Sequence, residues 1–216
     1  MWFLSSSLVA ILCSIAAVLD YAYADETVQD AAVIARHLVN SSSIGTMATV
    51  FPGDHATLAG EPFALQEYYA SCHANGSLTL LFMPISRHSQ NVLHSPVHAA
   101  SLTVASASPA ASRPRVSLLG NVTVFPVLGD TPELAAIQAC YLAQHPDARW
   151  WLPGPREPHV AYWARFDPHT VYFVGGFGDE HYIGYVPLKM YQEALKSDID
   201  GLGVAGRFLV DQQGVF

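Results

Sequence analysis

The residues best placed for chemistry lie in Ser86-Arg87-His88-Ser89-Gln90-Asn91. If this run opens a helix, its free backbone N–H groups and positive dipole end make a site for an anion. Arg87 then offers a planar fork that matches a phosphate, and Ser86 offers a hydroxyl. The plain alternative is that Ser86 caps the helix and Arg87 is a solvated charge. His88, His94 and His98 follow closely, but spacings of six and four across a helix-to-strand junction do not converge, so they read as ordinary hydrogen-bonded histidines. Gly175-Gly176-Phe177-Gly178 has the glycine content of a phosphate loop without a following lysine, which points to a bulge or a close backbone approach. Trp150 and Trp151 read as interface or core anchors.

Other chemistries find no residues. There is no G-x-S-x-G elbow, no HExxH, no CxxC, and neither a Ser-His-Asp set nor a carboxylate pair can be nominated. Any redox chemistry would therefore belong to a bound cofactor that protein groups orient. The net charge of −8 and the presence of two lysines, Lys189 and Lys196, exclude a phosphate-neutralising nucleic-acid surface. With 51% apolar and 13% charged residues the chain is a folded one, large enough for one generous domain.

The first residues belong to targeting. Trp2 to Leu19 carries no charge, is strongly apolar from Leu8, and precedes Ala22-Tyr23-Ala24, a small-x-small cleavage pattern. Residues 1–24 are therefore expected to be a signal peptide; an uncleaved anchor is the alternative, although the apolar run is short of the roughly 20 residues that span a bilayer. Of four asparagines, Asn40, Asn75 and Asn121 open N-x-S/T sequons. Together these features predict an N-glycosylated protein of the secretory pathway, secreted or vacuolar, with no membrane span after cleavage. Cys72 and Cys140 remain in the mature chain, and two readings are open: one intrachain bridge, or two buried thiols.

The elements that must position these residues follow from periodicity and turn signals. Residues 27–40 predict an amphipathic helix. Strands are expected at 44–50, 62–72, 77–83, 99–105 and 115–127, with Asn75-Gly76 turning the second into the third. Thr131-Pro132-Glu133 reads as a strong helix start for 131–145, and 146–159 as an irregular aromatic loop. Strands at 160–166 and 170–178 are expected to flank a turn at Asp167-Pro168-His169, followed by a strand at 182–186 and a helix at 188–195. One domain is expected over 25–196, with 197–216 as a tail of unassigned structure. So many short strands imply a closed sheet, because open edges invite aggregation.

This order of segments resembles the flavin-binding split-barrel superfamily of the pyridoxamine-phosphate oxidases, and especially its CREG-type secreted glycoprotein branch. The matching pieces are Ala35-Arg36-His37-Leu38, Ile44-Gly45-Thr46-Met47-Ala48-Thr49, Gly60-Glu61-Pro62-Phe63-Ala64, Ser86 through Asn91, and Pro96 through Leu102. Tyr141 through Pro146 and Val174 through Gly178 are similar to HugZ-type haem-utilisation members. The resemblance spans roughly residues 31–195. It implies a mainly β, six-stranded Greek-key split barrel with flanking helices, forming a homodimer. It also implies an FMN phosphate site at Ser86, Arg87, His88 and Asn91, and an oxidoreductase if that flavin is bound. No Arg/His cluster follows Val174, which disfavours vitamin B6 as substrate. The CREG branch implies a pocket filled by loops and a protein that acts by binding, without its own catalysis. The HugZ-type similarity makes His181 the candidate haem ligand.

Overall fold

The computed structural model describes residues 25–154 and 159–197; the expected signal peptide and the tail beyond Ser197 lie outside them. Four α-helices, α1 (Val28–Ser41), α2 (Arg87–His94), α3 (Leu134–Gln144) and α4 (Leu188–Ser197), flank seven strands. These are β1 (Ile44–Val50), β2 (Pro62–Ala70), β3 (Leu78–Phe82), β4 (Ala99–Ala105), β5 (Arg115–Phe125), β6 (Tyr162–Val174) and β7 (Ile183–Val186). The strand order is β3-β2-β1-β4-β5-β6-β7, all antiparallel, and a further β3–β6 pairing closes the first six into a barrel. This is the expected six-stranded split barrel. The split lies at β2, which pairs with β1 over seven residues but meets β3 only through Tyr69 and Ala70.

Alternation decides what the barrel encloses. Gly45, Met47 and Thr49 of β1 point inward, as do Ala100, Leu102 and Val104 of β4, while their neighbours face out. α1 plugs one end with Ala31, Ala32, Ala35, Leu38 and Val39. Its start is secured by a capping box, in which Thr27 Oγ1 and the Asp30 carboxylate satisfy each other's backbone N–H groups. A second apolar cluster lies outside the barrel, where α3 brings Ile137 and Tyr141 against Leu81 and Trp163. Cys72 and Cys140 are bridged there, with an S–S distance of 2.11 Å, tying α3 to the end of β2.

Four sequence expectations need correction. Asp167-Pro168-His169 is no turn: β6 runs unbroken through it, and the register slips between Leu119↔Thr170 and Gly120↔Pro168, so His169 is the extra residue of a bulge. The bulge accommodates Pro168, and it presses the strands so close that a Cβ at Gly120 would overlap the Asp167 carbonyl. α3 starts at Leu134, because Glu133 takes the left-handed conformation (φ 50°) and Thr131 makes no cap bond. Of Asn75-Gly76 only Gly76 has positive φ (84°), while Asn75 Oδ1 accepts the Ser77 N–H. Part of the aromatic loop, Pro146–Trp150, is 3-10 helix.

Candidate functional site

The segment Ser86–Asn91 does open a helix, but its side chains divide. Ser86 occupies the N-cap position without a side-chain cap bond, and Arg87 is half-buried with its guanidinium 5.3 Å above the Phe51 ring. His88 and Asn91 turn inward and are 2% and 1% exposed. Both meet Thr49 on β1: Asn91 Nδ2 donates to its hydroxyl at 3.1 Å, and His88 Nδ1 lies 3.4 Å from it. Burial holds the His88 pKa below the ordinary histidine value, although the Leu65 carbonyl beside the ring opposes this. A neutral ring protonated at Nε2 completes a relay in which Asn91 donates to Thr49 and Thr49 to His88 Nδ1. His88 Nε2, Ser89 Oγ and Asn91 Oδ1 make no hydrogen bond of good geometry.

The chain from Phe51 to Glu61 closes on itself between β1 and β2. Its ends are pinned by Phe51 N–H to the Glu61 carbonyl and Gly60 N–H to the Phe51 carbonyl. Phe51 stacks edge-on with both His55 and Phe63, and Phe63 packs 5.1 Å from His88. The four residues expected to converge on one phosphate therefore go separate ways: Ser86 makes no side-chain cap bond, Arg87 lies over the Phe51 ring, and His88 and Asn91 meet Thr49. A flavin phosphate needs several donors aimed at one point, and this arrangement does not fit one.

The other histidines serve local structure. His94 Nδ1 lies 2.7 Å from the Gln90 carbonyl and His98 Nδ1 lies 3.1 Å from that of Val122. Among the described residues no group of three or more His, Cys, Asp or Glu could hold a metal, and no helix is long and apolar enough to cross a membrane.

His181 has a partner that the sequence did not suggest. Its Nδ1 lies 2.9 Å from the Glu26 carboxylate, which is largely buried and whose pKa is raised by desolvation. The glycine pair makes this possible: a Cβ on Gly175 would sit 2.7 Å from that carboxylate, and one on Gly176 would sit 2.5 Å from the His181 ring. The glycine-rich run thus makes room for a clasp between Glu26, just before α1, and the β6–β7 connection.

Arg36, read only as part of a resemblance, is 1% exposed. Its guanidinium donates to the His73 and Ala74 carbonyls and lies 5.3 Å from the Tyr191 ring centroid, anchoring the β2–β3 turn to α1 and α4. The sequon residues Asn40, Asn75 and Asn121 are exposed, whereas Asn91 is buried. Trp150 is 63% exposed beneath Arg149, and Trp151 packs at the margin of the outer apolar cluster.

A search of curated proteins finds no match. Among solved structures, the chain is similar to a haem-binding protein from Mycobacterium smegmatis, with a TM-score of 0.59 and 22% identity over 78% of this chain; the match spans 61% of that protein's length. It is similar to a protein of unknown function from Agrobacterium tumefaciens, with a TM-score of 0.55 and 21% identity over 68% of this chain and 57% of the other. The haem-storage protein HutZ of Vibrio cholerae aligns with a TM-score of 0.51 and 18% identity, over 68% of this chain and 95% of its own. At these identities the likeness establishes the barrel fold, which sites of many kinds can occupy. The sequence itself matches the family model for the CREG β-barrel over residues 26–193, nearly the whole described structure, and the chain belongs to that family.

Proposed function

We propose that this protein works in the lumen of the secretory pathway or outside the cell, as an N-glycosylated homodimer that acts by binding and carries out no chemistry of its own. The observation that carries this reading is the dispersal of the phosphate grip. His88 and Asn91 are engaged by Thr49, and the Arg87 guanidinium lies over the Phe51 ring. Exposure of all three sequons supports the glycoprotein reading. A broad uncharged sheet face supports the dimer: Thr46, Ala48, Ser101 and Thr103 point outward across β1 and β4, and Leu119, 39% exposed, extends the patch onto β5. Asn121 lies on that same face, so a glycan there would mark the limit of the interface.

The test is a titration of FMN, followed by its fluorescence, with the wild-type protein and Arg87→Ala. Neither should bind saturably. Saturable binding that Arg87→Ala weakens by about 1.5–3 kcal/mol, the worth of a charged hydrogen bond, would instead support a flavin-dependent oxidoreductase on this fold.

One observation favours a second reading, a haem binder. The Glu26 carboxylate takes His181 Nδ1, the outer partner that iron-ligating histidines commonly have, and leaves Nε2 for a metal. Two of the proteins that share this fold are described as binding or storing haem. A Soret band that appears on haem addition and is lost in His181→Ala would establish this reading; no band would dismiss it.

A further inference from the structure

Between β4 and β5 the chain runs Ala107-Ser108-Pro109-Ala110-Ala111-Ser112, and every one of these residues is exposed. The base of the segment is pinned, because the Ser106 N–H and hydroxyl both donate to the Pro114 carbonyl, at 3.2 and 2.9 Å. Beyond that anchor β4 and β5 pair over seven residues. Exposed tips of small and polar residues are where folded chains are preferentially nicked. Proline fixes its own φ and pushes the residue before it into extended backbone, the shape in which a peptide is taken up along a sheet edge. Two other exposed connections fold on themselves instead. In residues 51–61 the His55 N–H donates to the Pro52 carbonyl, the Glu61 N–H to that of Leu58, and the Leu58 N–H to His55 Nδ1. Leu128–Asp130 is a turn of 3-10 helix.

Side chains and anchors narrow the open bonds to one. Arg113 is followed by Pro114 and Arg115 lies within β5, so a protease directed to basic residues finds no open bond. The Ser108–Pro109 bond is shielded by the proline ring in the same way. Ala107–Ser108 adjoins the anchored Ser106. At the other end the Ser112 backbone is packed against Gly176, where a Cβ would come within 2.9 Å of the Ser112 carbonyl. Pro109 offers only a rigid ring to a pocket that reads the residue before the cut. Ala110–Ala111 remains, with a methyl group on each side. That suits a protease whose primary pocket is small, as in elastase.

We propose that the β4–β5 segment is a processing site, where an endopeptidase with a small primary pocket hydrolyses Ala110–Ala111 and leaves two chains joined by the Cys72–Cys140 disulfide. Water adds across the broken C–N bond, giving a carboxylate at Ala110 and an ammonium group at Ala111. The bridge straddles the cut, with Cys72 on the first chain and Cys140 on the second. The barrel also stays closed across it, through the β4–β5 and β3–β6 pairings and through Arg36 of α1 over the Tyr191 ring of α4. Ala110 already accepts the Arg113 N–H at 3.1 Å, so the new carboxylate has a donor from the second chain. Neither the exposed segment nor the bridge depends on the binding reading above.

The test is limited digestion of the folded, oxidised protein with pancreatic elastase, beside a parallel digestion with trypsin. Elastase should make a first cut that leaves one band on a denaturing gel without reductant and two bands with it. Sequencing of the second chain should begin Ala111-Ser112-Arg113, and the nicked protein should still melt cooperatively. Trypsin should leave the segment whole. Ala110→Asp, a change at an exposed position, should slow cleavage of this bond by about tenfold or more, since a small apolar pocket rejects a charge. The proposal is overturned if the folded protein resists elastase, or if the first cut falls elsewhere. It is equally overturned if the two chains part without reductant, or if nicking abolishes the cooperative melt.

Discussion

Two acid–base residues, the half-buried Glu67 and the buried His88, set opposite pH dependences. Glu67 on β2 has its pKa pushed up to about 7 by desolvation, against the partial relief of the Tyr68 N–H. The folded state then holds a proton that the unfolded chain releases near pH ~4.3, so Glu67 costs stability as pH rises toward 7. Glu67→Gln should raise the melting temperature more at pH 7.5 than at pH 5; an equal rise at both would contradict this. His88 works the other way. Its folded pKa lies below the ordinary value, so its neutral form contributes stability above pH ~6.5 that is lost as pH falls toward the folded pKa. His88→Phe should flatten the loss of stability in that acidic window, which pH-dependent melting would show. Arg36 makes a third case. Arg36→Met removes a buried cation bonded to two carbonyls, and chemical denaturation should register a loss of about 2–3 kcal/mol.

At the level of elements, the disulfide and the β6 bulge hold the architecture. The bridge spans a sequence separation of 68 residues, and Cys140→Ser should cost roughly 4 kcal/mol by loop-closure entropy, measured by denaturant unfolding. It should also loosen α3. Gly120→Ala would force a methyl into the Asp167 carbonyl, and overpacking of that kind costs about 1–3 kcal/mol. These same elements show what the sequence discloses. β1 and β4 were legible to the residue, because inward and outward positions alternate cleanly in Ile44–Val50 and Ala99–Ala105. β6 was not, because Asp-Pro-His has the chemistry of a turn and only its pairing with β5 makes it a bulge. The Ser86–Asn91 helix was legible, but its inward rotation depends on Thr49, distant in sequence.

At the scale of the whole molecule, the outer face of β1 and β4 carries the uncharged Thr46, Ala48, Ser101 and Thr103, and His88 and Asn91 turn inward to Thr49. If the sheet face is the dimer contact, light scattering should give twice the chain mass, and Ser101→Arg should return the monomer without unfolding it; a monomeric wild type would remove that claim. The central claim is that Arg87, His88 and Asn91 hold the protein's own structure together and not a flavin phosphate. The most direct measurement is the visible absorption spectrum of the protein as purified from the secreting host, repeated after incubation with FMN and desalting. The account predicts a colourless protein both times. Flavin bands that survive desalting would contradict it.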